Sequence, residues 1–115
     1  MTDTFIKLGN HVKERNSTTV TAYFRDSSNA AEVPTTIHYR IDDLTTGTAV
    51  KAWTSVSAAS SVTISVTSSE NRIISDSNVR ERRQITVSAD KGLDGETRDT
   101  AEWFIENIGG YDETT

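Results

Sequence analysis

Thr36-Thr-Ile-His-Tyr-Arg-Ile-Asp-Asp-Leu-Thr-Thr-Gly-Thr-Ala-Val-Lys-Ala-Trp53, followed after a Ser/Ala-rich run by Ser61-Val-Thr-Ile-Ser-Val66, is the stretch that decides the fold. Ile37, Tyr39 and Ile41 fall on one side of an extended chain, and Thr36, His38 and Arg40 on the other. That period of two is the pattern of a strand buried on one face. Asp43-Leu-Thr-Thr-Gly47 reads as a tight reversal, with glycine available for a positive φ. Ala49 to Trp53 forms a short strand, Ser57 to Ser61 a bend, and Val62, Ile64 and Val66 point inward while Thr63 and Ser65 face water. Outer faces made almost wholly of Ser and Thr suit an antiparallel sheet solvated on one side.

The alternation extends in both directions. Upstream, Thr18 to Arg25 places Val20, Ala22 and Phe24 on one face, and Thr19, Thr21 and Tyr23 on the other. Before it, Thr4 to Val12 reads as one edge strand closed by a turn at Glu14 to Ser17, so that residues 1–17 form an edge strand or arm. Asp26 to Asn29 is a loop, and Pro34 precedes a strand, where its missing N–H harms no ladder.

Downstream, Ser68 to Glu81 breaks the alternation, and Ser69 is placed to cap a single helical turn. Arg83 to Ala89 returns to strand with Ile85, Val87 and Ala89 inward, and Asp90 to Gly95 is a turn. Asp99 to Ile108 fits two templates. As a helix it has Asp99 and Glu102 in a capping box and Gly109-Gly110 as a stop; as a strand it sets Ala101, Trp103 and Ile105 against Glu102, Phe104 and Glu106. The β context selects the strand. Residues 109–115 are a polar tail. The expectation is an all-β chain: one antiparallel β-sandwich of about seven strands over residues 1–115.

Composition narrows the function classes. A chain of 115 residues suits one domain and one core. The net charge of −5 argues against nucleic-acid binding, which needs a positive surface. No stretch reaches membrane-spanning length, the N-terminus carries no secretory pattern, and without cysteine there is neither a disulfide framework nor a thiolate metal site. No cofactor is expected.

Candidate chemistry is sparse. His11 and His38 read as solvated surface residues, and no serine sits in a strained nucleophile turn, so no catalytic residue is assigned. Asp90, Asp94, Glu96 and Asp99 surround a glycine turn, yet the spacing of a calcium loop is missing; a solvated acidic hairpin is the preferred reading over a metal site. Arg80-Glu-Arg-Arg83 is the one basic cluster, either a solvated strand start or a docking point for an acidic patch on a partner. Trp53 and Trp103 are core residues or a binding platform, and Phe104 projects outward if its segment is a strand.

Tyr39-Arg-Ile-Asp-Asp-Leu-Thr-Thr-Gly47, Trp53-Thr54, Ser61-Val-Thr-Ile64 and Ile85-Thr-Val-Ser-Ala89, with the Asp/Gly turn and final aromatic strand that follow, form a pattern. It resembles that of small phage virion structural proteins with an immunoglobulin- or fibronectin-III-like sandwich. The resemblance spans roughly residues 20–108 and lacks the Cys…Trp…Cys of antibody-type domains. It implies a non-enzymatic protein of the virion, assembled in the host bacterial cytoplasm. Its place would be capsid decoration or another head-associated position; the alternatives are a neck or tail component, or a carbohydrate-binding or adhesin module. The implied partners are the major capsid protein or neck and tail subunits, with homo-oligomers expected as well. Phe5, Ile6, Arg80, Arg82, Arg83 and Phe104 are the candidate subunit contacts.

Overall fold

A computed structural model describes residues 3–7 and 11–13 as backbone, and residues 16–75 and 77–107 with their side chains. The strands are β1 (Asp3–Lys7), β2 (His11–Lys13), β3 (Thr18–Arg25), β4 (Ile37–Asp43), β5 (Thr48–Val56), β6 (Ser61–Val66), β7 (Arg80–Ala89) and β8 (Thr97–Glu106). They form a three-stranded sheet in the order β1-β3-β6 and a five-stranded sheet in the order β2-β8-β7-β4-β5. All pairings are antiparallel except β2 with β8, which is parallel. No helix occurs among the described residues. The architecture is an all-β sandwich.

The two sheets meet through the side chains that the alternation points inward. Val20, Ala22 and Phe24 of β3 and Ile64 and Val66 of β6 pack with Ile37, Tyr39 and Ile41 of β4, Ile85, Val87 and Ala89 of β7, and Trp103 and Ile105 of β8. Each buried aliphatic or aromatic side chain contributes about 1.5–3 kcal/mol relative to its exposed state, so this layer supplies most of the favourable free energy. Segment 97–106 is a strand, as its context requires. Its ten-residue ladder with β7 satisfies the backbone that a lone helix would have bonded internally.

Three expectations need correction. The N-terminal segment is two short strands in different sheets, β1 beside β3 and β2 beside β8, so this stretch of chain serves both sheets. The single turn after β6 is capped by Thr67 rather than Ser69. Thr67 Oγ1 accepts from the Glu70 N–H at 3.2 Å, and Glu70 Oε1 accepts from the Thr67 N–H at 2.8 Å, a reciprocal capping box. Finally, β7 begins at Arg80 rather than Arg83, and keeping its period of two turns Glu81 and Arg83 inward.

Turn chemistry follows the residues. Gly47 (φ 73°) and Gly92 (φ 83°) occupy the left-handed region at the β4–β5 and β7–β8 reversals. Asp90 (φ 58°) is held there by its own carboxylate, whose Oδ1 accepts from the N–H groups of Thr35 at 2.7 Å and Thr36 at 3.1 Å. One side chain thus ties the start of the β7–β8 turn to the chain entering β4.

Candidate functional site

Charged side chains gather at two places with opposite meaning. The first is internal. Arg83 is fully buried, its Nε 3.5 Å from Asp43 Oδ2 and its Nη2 3.3 Å from Glu81 Oε1; all three side chains are excluded from solvent. Its guanidinium also donates to the carbonyl oxygens of Glu70 and Arg72. Glu81 accepts from the Ile74 N–H (2.7 Å), the Ser75 N–H (2.9 Å) and the Asn78 amide (3.0 Å). Burial alone would push the Glu81 carboxyl up, but these hydrogen bonds outweigh it and hold the group below the ordinary carboxylate range. Beside the trio, buried Asn71 accepts from Trp103 Nε1 at 3.1 Å and donates to the Asn16 carbonyl at 2.7 Å. The cluster therefore fastens the β6–β7 connection onto the sandwich end. It is a structural device, and Arg83 leaves the set of candidate subunit contacts.

The second gathering is external. Trp53 on β5 stands half-buried on the outer face of the five-stranded sheet. Around its ring lie the guanidinium of Arg40 at 5.8 Å from the centroid, that of Arg98 at 5.1 Å and the ammonium of Lys91 at 5.1 Å. β5 and β8 are separated by β4 and β7, about 14 Å at ordinary strand spacing. For Trp53 to meet Arg98, both side chains must lie along the sheet and roof the strands between. Ser88 is accordingly buried on an outward-facing position, and His38 has its Nδ1 enclosed without a hydrogen-bond partner. His38 is thus half-covered, not the solvated surface histidine that its polar strand face suggests.

The cations of this patch are partly neutralised. Arg40 makes a two-point contact with Asp42 at 2.7 and 2.9 Å. Glu96 accepts from Ser88 Oγ at 2.6 Å, from Arg98 Nε and from the Gly92 N–H at 3.2 Å. The Ser88 hydroxyl, then Arg98, then the Gly92 N–H together draw its pKa down to about 2. Asp90 and Glu96, two of the carboxylates around the glycine turn, are thus spent on backbone and arginine contacts. No set of three metal-ligating side chains converges among the described residues.

Farther along the same outer face, Arg80 stacks over Phe104 at 4.5 Å and Arg82 pairs with Glu102 at 3.1 Å. Three of the expected contact residues are therefore brought together there: exposed Arg80 and Arg82, with half-buried Phe104. Phe5 and Ile6 lie in β1, and their side chains fall outside the described residues, as does the 109–115 tail. The convergence of Arg40, Lys91 and Arg98 on Trp53 had no signal in the sequence, because the four residues come from three strands and a turn. Trp103 is core, 1% exposed, and is no platform.

In comparisons with known protein families and with curated proteins, no family and no curated relative matches the chain.

Proposed function

We propose that this chain is a non-enzymatic structural protein of a phage virion, an immunoglobulin- or fibronectin-III-type sandwich that binds neighbouring subunits as capsid decoration or another head-associated component. The strand neighbours support the sandwich type: β1-β3-β6 and β8-β7-β4 follow the A-B-E and G-F-C order of immunoglobulin-like domains, with β5 added beside β4. The observation that carries the binding role is that both sheets end in open edges, β6 on one and β5 on the other. Among the described residues no further strand pairs with their outward backbone groups, which leaves them able to pair with another chain. Repetition on a particle lets weak contacts of this kind suffice.

Particles purified from the encoding phage provide the test, by mass-spectrometric identification and copy counting. Hundreds of copies place the protein on the capsid surface, and about a dozen or fewer on the neck or tail. Complete absence from the particle overturns the reading. If the outer patch docks on an acidic neighbour, Arg80→Ala with Arg82→Ala lowers the copy number while the isolated domain stays folded.

A second reading, a carbohydrate-binding or adhesin module, draws on Trp53 and its three cations, which suit an acidic glycan. Binding on a glycan array, with Trp53 shielded from quencher by the bound sugar, would favour it.

A further inference from the structure

We infer that two copies of this chain join edge to edge through β6, in antiparallel register about Thr63, to make one continuous six-stranded sheet. The inference goes beyond the virion reading: it assigns one of that reading's two open edges, β6, to a second copy of the chain and leaves β5 for other neighbours.

The hydrogen-bonding phase of β6 can be worked out. The Phe24 N–H donates to the Ser60 carbonyl at 2.9 Å, and β3 and β6 run antiparallel with Ala22 opposite Val62 and Val20 opposite Ile64. Bonded positions alternate in such a ladder, so the even residues of β6 bond to β3. Ser61, Thr63 and Ser65 then direct both N–H and C=O away from the domain. Their side chains are exposed, and among the described residues no loop or turn backbone bonds to them.

Open edges are normally guarded by charge, proline or irregularity. β5 is the less regular of the two edges: its ladder with β4 carries register shifts, and Lys51 sits on it. β1 and β2 contain Asp3, Lys7 and Lys13. β6 has no such guard. Residues 52–69 carry no charged side chain, in a chain where 25% of residues are charged. The only proline is Pro34, outside the strand.

The occupant follows from symmetry. A two-fold axis at Thr63 sets Thr63 opposite Thr63 of the second copy and Ser61 opposite its Ser65, so every outward backbone group on these residues finds a partner. The cross-strand pairs are all Ser or Thr, which pair favourably and bring no like charges together. Val62 then meets Ile64 of the second copy on the inward face, so the apolar surface stays on the core side. A strand of another protein would have to match this uncharged pattern; a second copy matches it by construction. The contact is small beside a standard interface, so the dimer is weak and concentration-dependent. At −5 per copy, it tightens as salt screens the net repulsion.

Sedimentation equilibrium of the full chain from micromolar to millimolar concentration, at low and high salt, tests this. The expected result is a monomer–dimer equilibrium that shifts toward dimer with salt, together with slowed amide exchange at Thr63 as concentration rises. Thr63→Pro removes an N–H that the β3 ladder does not use, and should weaken the dimer at least tenfold. Should proline disturb the strand, Thr63→Glu supplies the second variant: it is monomeric alone and forms a heterodimer when mixed with Thr63→Lys. A monomer throughout the range, a dimer indifferent to all three substitutions, or amide protection at Thr63 that does not depend on concentration overturns the inference.

Discussion

Replacing Arg83 by methionine keeps most of the side chain's volume while removing its charge. In the folded domain this leaves the Asp43 and Glu81 carboxylates enclosed without their cation, and strips the Glu70 and Arg72 carbonyls of a donor. Breaking a buried ion pair from one side costs about 3–5 kcal/mol. A domain of this size is stable by roughly 5–15 kcal/mol in total. Arg83→Met should therefore lower the melting temperature by about 10–20 °C and the urea midpoint by about 2 M. The acid side of the stability profile reports on the same cluster. In the wild type Glu81 is held below its ordinary value of 4.5, so its contribution is present above that pH and lost as the pH falls below it. Its hydrogen bonds from the Ile74 N–H, the Ser75 N–H and the Asn78 amide remain in the variant, so this acid loss persists there. Adding Asp43→Asn and Glu81→Gln should recover most of the loss, since the cost lies in unpaired charge rather than in missing attraction. Chemical denaturation of wild type, Arg83→Met and the triple variant at pH 7 decides it. An Arg83→Met protein within about 1 kcal/mol of wild type, or a triple variant no more stable than Arg83→Met, would refute the paired-charge account.

Other perturbations probe the remaining contacts. Trp103→Phe removes the donor to buried Asn71 Oδ1 and should cost about 1–3 kcal/mol in urea titration; Asn71→Ala added to it should cost about 1 kcal/mol more, because the Asn16 carbonyl then loses its donor as well. In Trp103→Phe the remaining fluorescence belongs to Trp53, and the surrounding cations should make iodide a stronger quencher than caesium, a difference that fades with salt. Glu96, drawn down to about 2, stabilises the β7–β8 hairpin above pH 4.5 and loses that contribution as pH falls from 4.5 toward 2. NMR titration reads this directly, and Glu96→Gln should flatten the dependence.

Arg83 also shows where reading the chain alone stops. Arg80, Glu81, Arg82 and Arg83 are four consecutive polar residues, and nothing local tells which of them face the core. Alternation assigns faces only where apolar residues mark one side, and here the inward pair is charged. Its burial is tolerable only because Asp43, forty residues away in sequence, and the β6–β7 connection supply partners. The same limit governs Trp53, whose place in a strand was legible but whose face was not, and whose three cations arrive from β4, β8 and the turn before β8.

Where hydrophobic and polar residues alternate, the chain by itself determined the strands, their faces and the core: Val20 to Phe24, Ile37 to Ile41, Ile64 to Val66 and Ile85 to Ala89 are buried as their spacing requires. That information is local, because a side chain's face depends only on its position along an extended backbone. Three things came only from the tertiary structure: which sheet each N-terminal strand joins, which charges are buried, and which edge is left open. Each depends on partners distant in sequence, and a hydrogen bond or ion pair is worth its energy only once both halves are in place.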